Sequence, residues 1–399
     1  MSGPKAPTAT HGRSKPGAQA KAGRANAQHP LMGARAEVLL RLLVAEGGVS
    51  PRHLPLVAGM LASAAARAPF RLLDAAETAR RRGGTPDPVF ILGHWRSGTT
   101  HLHNLLGQSP RFGIIRPLPA GIPDEMLTLG RWLRPLLERA LPENRKVDRV
   151  AVRPQSPQED EIPLASMGAA SIYNGLYFPR RLAHHIDRGV FFQGLGEGEV
   201  ERWIGLHKRL LTKIAIDQGR EGLLIKNVAY TARLGLLRRA WPSARFIFIR
   251  RNPYEVYAST RNYYRTLLPM LALQPYDHVD IERLVLDTYP RLMERYFEDA
   301  AAVPDSHLAE LSYEALVADP IGQLERLHDQ LSLPGWERAR PRVEAYLDSI
   351  SDYRRNEFTM SPEDADRVEV AWGRYIDMWG YERPGSDSGA HVRMVGAGV

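Results

Sequence analysis

Cysteine is absent from all 399 residues. That excludes disulfides, thiolate nucleophiles and any zinc or iron–sulfur site built on Cys, and it gives no sign of a secreted disulfide framework. Acidic residues are missing from the first 36 positions: Lys5, Arg13, Lys15, Lys21, Arg24 and Arg35 all precede the first acid, Glu37. These cations lie in an Ala/Gly/Pro/Ser stretch without apolar periodicity, so residues 1–36 read as a disordered basic tail. Long apolar runs are also lacking. The N-terminal run has no apolar h-region, so no secretory leader is expected and the cytoplasm is the expected location. "EVLLRLLV" (37–44) and "LPLVAGMLASAA" (54–65) are too short to span a bilayer, and no transmembrane segment is expected. Both read as amphipathic helices packed on the core, with peripheral attachment to a membrane surface as the lesser reading.

The formal net charge is +8 and the pI about 9.7. Because so much of the excess sits in the tail, the rest of the chain is only mildly basic, as suits an enzyme handling an anionic cofactor. The chain is long enough to bury a large core. Residues 37–84 read as an N-terminal helical segment, 85–383 as a P-loop-type domain and 384–399 as a loose C-terminal tail. Within 85–383, "EGLLIKN" (221–227) and "ARFIFIR" (244–250) are continuous apolar runs between helical patterns, and 307–320 repeats a strand-to-helix pattern. Strands without alternation, separated by helices, predict an α/β fold with a parallel sheet flanked by helices. "SPQEDEIPLASMG" (156–168) predicts a helix with Ser156 as its cap and acids in its first turn. No internal repeat is present.

"PVFILGHWRSGTTHLHNLL" (88–106) carries the strongest signal. A short strand enters a glycine-containing turn and a helix follows from about Thr99. Gly93, four residues, Gly98 and Thr100 keep the spacing of the phosphate-binding pattern G-x-x-x-x-G-K-S/T, yet Thr99 stands where lysine belongs and the cation is Arg96. Such a turn aims backbone N–H groups and a helix N-terminus at a phosphate. The candidate second strand ends in Arg250-Arg251, where an NTPase needs an acid to support Mg²⁺. Two cations there favour a second anion and repel a metal. Glycines between strand and helix can also serve only as a tight turn; the strand, the glycines, RSGTT and the helix together favour the phosphate site.

That pairing resembles the sulfotransferases that use 3′-phosphoadenosine 5′-phosphosulfate (PAPS). "GHWRSGTTHLHNLL" is similar to their 5′-phosphosulfate loop, and "RRNPYEVYAS" to their 3′-phosphate segment, an Arg with a Ser eight residues later. The likeness extends through "RPQSPQEDEIPLA", "LSYEAL", "YRRNEF" and "WGYE", over roughly residues 85–383. It implies a sulfotransferase-like P-loop fold with an N-terminal helical extension. It implies metal-independent, in-line transfer of a sulfuryl group from PAPS to a hydroxyl or amine acceptor, leaving 3′,5′-adenosine bisphosphate. Carried over by position, Arg96, Ser97, Gly98, Thr99 and Thr100 would hold the 5′-phosphosulfate, and Arg251 and Ser259 the 3′-phosphate. Arg354, Arg355 and Asn356 resemble a basic loop closing over the cofactor. His101 stands where some relatives carry an aromatic beside the adenine, and reads equally as a polar helix position.

Sulfuryl transfer needs a cation near the leaving oxygen and a base near the acceptor proton. Arg96 suits the first, with Lys226 at a strand end as a helper or, equally, as the structural partner of an acid. For the base, the acidic cluster offers Glu159 first and Glu161 second; ordinary acid enrichment at a helix N-terminus is the bland alternative. Asp124-Glu125 is the fallback. His94, His101 and His103 sit by the loop, but neither His-x-His nor His184-His185 completes a set of metal ligands, so no metal is expected. The acceptor is expected to be a small-molecule, lipid or carbohydrate hydroxyl, recognised by residues 111–220 and 261–300. Their aromatics (Trp132, Tyr173, Tyr177, Phe178, Tyr263, Tyr264) could line a pocket or simply pack. No specific nucleic acid is expected. Two rivals stay open: a Mg²⁺-dependent P-loop kinase or NTPase, and a polyanion-binding protein acting through the basic tail, whose binding would fall steeply with salt.

Overall fold

Strands β1 (Pro88–Gly93), β2 (Phe112–Gly113), β3 (Gly222–Lys226), β4 (Arg245–Arg250) and β5 (Leu308–Ser312) form one parallel sheet in the order β2-β3-β1-β4-β5. The computed structural model describes residues 29–81, 84–139, 153–351, 357–384 and 392–395. The sheet and its flanking helices make the α/β architecture expected from the sequence. Successive residues of each inner strand feed opposite faces. Phe90, Leu92, Phe246 and Phe248 join one apolar cluster, while Val89, Ile91, Ile247 and Ile249 join the other. A strand buried on both faces has no polar side to alternate with, and that is why these runs are continuous. β1 lies at the centre, with β3 on one side and β4 on the other. The chain therefore reverses its direction of travel around β1, and the crevice outside the strand ends at such a switch point is where α/β folds bind ligands.

The N-terminal part departs from expectation in three ways. Residues 29–36 belong to the fold rather than to a tail: Leu31 and Ala34 are buried in the main core, and Arg35 meets Asp124 through two hydrogen bonds of 2.5 and 2.6 Å. The expected tail boundary rested on the missing acid, but Arg35 finds its acid at a distance in the chain. Helix Ala36–Ala45 ends before Gly47 and Gly48, both at positive φ, and helix Leu54–Arg80 continues well past residue 65, through Pro69. With residues 51–53 it is long and apolar enough to cross a membrane by length and composition alone; the argument that it is too short fails. Its buried side nevertheless carries charge, Arg67 and Asp74, held by the rest of the fold.

Two further expectations shift. The helix predicted from Ser156 starts at Glu161 and runs to Ser166. The Ser156 hydroxyl accepts from Arg153 N at 2.8 Å and closes a turn instead of capping a helix. Within the expected loose C-terminal tail, β7 (Val392–Val395) pairs antiparallel with β6 (Glu357–Met360).

Candidate active site

The loop after β1 is held from three sides. Thr231 Oγ accepts from Gly93 N at 2.8 Å and donates to Gly93 O at 3.0 Å. Thr260 Oγ donates to Trp95 O at 3.2 Å, and Ser97 Oγ donates to His94 O at 2.8 Å. Arg251 reaches the carbonyl of Arg96 at 3.3 Å. With its carbonyls bonded inward, the loop presents its backbone to helix Thr99–Leu106, whose first-turn N–H groups have no intrahelical acceptor. Arg96 itself sits at φ +69°, a left-handed conformation costing a non-glycine residue roughly 1–3 kcal/mol and met mostly at functional sites. Gly98 is obligatory. At φ +95° a Cβ there would lie 2.3 Å from the Tyr313 ring.

The two cofactor motifs of the sequence meet in space. Helix Pro253–Leu271 opens with Pro253 at its first position and Asn252 capping Tyr254 N. It places buried Ser259 so that its hydroxyl accepts from Arg96 Nε at 2.9 Å. Arg251 is fully buried, pairs with Glu255 one turn on, and lies 4.4 Å over the Tyr313 ring. The Arg250-Arg251 pair is split: Arg250 turns to Trp379, 5.7 Å from its ring, and only Arg251 faces the loop. Neighbouring residues on a strand point to opposite faces, so two adjacent arginines cannot serve one anion. His101 is buried beside Tyr313 at 6.3 Å, edge to face. Thr99 is buried, and Thr100 lies next to Lys226. Arg354, Arg355 and Asn356 lie outside the described residues.

Opposite Arg96, the end of β3 brings in Lys226. Its register partner on β1 is Ile91, one strand from the loop. Its ammonium donates to Glu159 in a short ion pair and approaches Thr100 Oγ at 3.4 Å. What opposes these two side chains is the next residue along on each segment. Asn227 Nδ2 donates to Asp160 at 2.9 Å and to Glu161 at 2.6 Å. Tyr230 donates to Asp160, and His207 stands 3.4 Å from that carboxylate. This buried network clamps the 159–161 turn onto the β3 end, leaving Glu159 against Lys226.

The three acids therefore have different fates. Asp160 and Glu161 are buried and saturated with partners; burial, only partly offset by Arg233 and the Asn227 hydrogen bond, pushes the Glu161 carboxyl up. Glu161 also accepts from Ile172 N at 3.2 Å and is not brought to the loop. Glu159, before the helix, keeps partial exposure and meets the loop's lysine. The fallback acids are bound elsewhere: Asp124 to Arg35 and Arg209, Glu125 to Arg67 at 2.7 Å.

Of the six aromatics singled out, Tyr173, Tyr177, Phe178, Tyr263 and Tyr264 are buried and Trp132 is exposed. The Tyr263 phenol is pushed well up by burial first, then by Tyr173 and Glu159, so it stays a neutral hydroxyl within electrostatic reach of Glu159. His94 is buried against Trp95 and Tyr289, and burial lowers it to about 3. His103 is lowered to about 3 by burial and by Lys226. Neither is set up as a base at neutral pH. Among the described residues no group of three or more His, Asp or Glu side chains could hold a metal ion. Sequence reasoning missed Thr231, Thr260, Asn227 and Tyr313. A Thr or Asn just after a strand looks like ordinary turn chemistry, and only the position of the strand beside β1 marks it.

Comparison with known proteins gives a consistent outcome. Residues 88–338 match the profile described as "Sulfotransferase family". The chain is 32% identical over 296 residues to the omega-hydroxy-beta-dihydromenaquinone-9 sulfotransferases of Mycobacterium bovis and Mycobacterium tuberculosis, covering 74% of this chain and 76% of each relative. Among solved structures, the fold is similar to a sulfotransferase from Mycobacterium avium with a TM-score of 0.61 at 16% identity, over 88% of this chain and 98% of that one. A sulfotransferase from Mycobacterium tuberculosis aligns with a TM-score of 0.53 at 18% identity, over 77% and 85%.

Proposed function

Because the chain belongs to the sulfotransferase family, we propose that it transfers the sulfuryl group of PAPS to the hydroxyl of a small-molecule or lipid acceptor, with Glu159 as the base. The observation that carries this reading is the Lys226–Glu159 pair at the mouth of a P-loop whose other side holds Arg96, Ser259 and Arg251. Such an arrangement fits a ligand with two separated anionic ends. The loop backbone, Arg96 and Thr100 would receive the 5′-phosphosulfate, and Arg251 with Ser259 the 3′-phosphate.

The donor supplies an activated sulfuryl group. Glu159 accepts the proton of the acceptor hydroxyl as the oxygen–sulfur bond forms, and Arg96 with Lys226 stabilises the charge left on the phosphate oxygen when the bridging bond breaks. Lys226 touches both Glu159 and Thr100, so one ammonium serves the base side and the donor side. Tyr263, within electrostatic reach of Glu159 and hydrogen-bonded to Tyr173, would form with Tyr173 the wall against which the acceptor is oriented. A lipid-type alcohol is the favoured class, since the curated relatives are named for an omega-hydroxylated menaquinone and the wall is aromatic.

The test is calorimetric titration with 3′,5′-adenosine bisphosphate in EDTA, beside ATP with Mg²⁺. We expect tight binding of the bisphosphate, abolished in Arg251→Ala. Binding of ATP only, dependent on Mg²⁺, would overturn the donor assignment and revive the kinase. With the donor established, radiolabelled sulfuryl transfer to long-chain, sugar and phenolic alcohols sorts the acceptor class.

A further inference from the structure

Helix Leu54–Arg80 has one face in the protein and the other bare. Its inward positions carry Val57, Met60, Ala64, Arg67 and Asp74, all buried. Every exposed residue between Leu54 and Ala76 is Leu, Pro, Ala or Gly. At 100° per residue, most of them fall within an arc of about 140° running some 34 Å along the helix, with no charged side chain in it. The bulk comes from Leu54 and Leu72 within the arc and from Leu73 just past its edge, the last two 71% and 58% exposed. Phe70, at the edge of the arc, contacts Trp132 on helix Leu129–Arg139 at 6.2 Å, and that helix adds exposed Trp132 and Leu136. A contiguous apolar surface of this kind on a soluble fold marks an interaction site.

We propose that this surface lies on an anionic lipid bilayer and docks the enzyme as a peripheral membrane protein. Charge selects this occupant. Exposed Arg52 precedes the face, exposed Arg80 and Arg81 follow it, and exposed Arg139 ends the neighbouring helix. Glu77, which pairs with Arg80 and Arg81, is the nearest acid on the same helix surface. Upstream, residues 1–28 contain Lys5, Arg13, Lys15, Lys21 and Arg24 and no acid. An apolar face rimmed by arginines and preceded by a polybasic segment is suited to anionic headgroups, where each cation near the surface adds to the partition. The same rim disfavours a second copy, which would bring like charges together. The helix lies on the bilayer and does not cross it: its other side carries Arg67 and Asp74 into the core, where they meet Glu125 and Lys213.

The test uses the full chain and vesicles of phosphatidylcholine with and without phosphatidylglycerol. We expect co-sedimentation with the phosphatidylglycerol vesicles, weakening as salt rises, and a vesicle-induced blue shift of tryptophan emission that is lost in Trp132→Phe. The double variant Leu72→Glu/Leu73→Glu, at two exposed positions, should lower the partition at least ~10-fold while leaving thermal stability intact. Absence of binding to both vesicles, or binding untouched by the double variant, overturns the proposal. So does a dimer in solution, measured by light scattering, that the double variant dissociates, since the face would then be a self-interface.

Discussion

Two arrays of buried ion pairs occupy this molecule, and they differ in what surrounds them. Under the N-terminal helices, Lys213 lies 2.5 Å from Asp74, whose other oxygen accepts from Leu127 N and Thr128 N at 2.7 and 3.2 Å. Arg67 holds Glu125 and two backbone carbonyls, and Asp124 is gripped by Arg35 and Arg209. These groups fasten helix Leu54–Arg80 to the fold. Burial pushes Asp74 up and Lys213 down, as expected for charges taken from water. At the sheet's C-terminal edge, Glu159–Lys226 and Arg251–Glu255 each join a partly exposed carboxylate to a buried cation beside the strained loop after β1. One array is closed on itself; the other faces the crevice. Ion pairing alone does not distinguish a lock from a site, whereas the accessibility of the carboxylate and the neighbouring loop do.

The sharpest way to break that contrast is to remove one acid from each array, with Glu161 beside Glu159 as a control, and read both rate and stability. Glu159→Gln should lower kcat by about 10²–10⁴, the range expected for loss of a general base, with bisphosphate binding and melting temperature little changed. Glu161→Gln should do the reverse, reducing stability through the Asn227 and Ile172 hydrogen bonds. Equal loss of rate in both, with no difference in melting, would refute the assignment of Glu159. Asp74→Asn leaves Lys213 buried without its counter-charge and should cost about 3–5 kcal/mol in denaturant unfolding, with the turnover of the folded enzyme retained.

Gly98→Ala tests the loop side. The added Cβ meets the Tyr313 ring at 2.3 Å in a left-handed backbone, so stability should fall by roughly 1–3 kcal/mol and bisphosphate affinity should weaken together. Unchanged affinity would mean that the loop is only a turn. The last test is the pH slope. His29, His94 and His103 are lowered to about 4, 3 and 3, burial being the largest cause in each. The unfolded chain, with histidines near their ordinary value of about 6.5, then binds more protons than the native state below that pH. Stability is therefore full above about pH 6.5 and lost as pH falls toward 4, by up to roughly 1.4 kcal/mol per pH unit per histidine. His29→Gln should shallow the fall of melting temperature across that window; a flat profile in the parent protein would contradict the buried neutral state.

The glycine turn and the Arg251/Ser259 segment were legible as candidate anion sites because their signals are local. A strand, two glycines at a required spacing and a helix N-terminus lie within a dozen residues, and Arg251 stands just before the helix that carries Ser259. The acid cluster was half legible. Its matching fragment pointed to 159–161, but nothing in the order Glu-Asp-Glu says that Asp160 and Glu161 turn inward to Asn227 while Glu159 turns out. Arg35 misled for a similar reason: counted along the chain it has no acid, yet Asp124 lies against it. The helical reading of this segment reached the end of helix Leu54–Arg80, but its apolar stretch was taken to stop at residue 65 because Arg67, Arg71 and Asp74 interrupt the pattern, although Arg67 and Asp74 face inward.

By itself the sequence determined the α/β class, the continuous strands and the glycine turn between β1 and the helix after it, since each depends on residues close together in the chain and on the steric limits of their own backbones. Tertiary structure decided which of the candidate acids and cations stand at the loop. Only when β3 is laid beside β1 do Lys226 and Glu159 reach the loop. Only when the N-terminal helices dock do Asp124 and Glu125 become fastenings rather than bases. An ionisable group's role is set by the charges, donors and solvent within a few ångströms of it, and those neighbours come from segments that are dozens to hundreds of residues away in the chain.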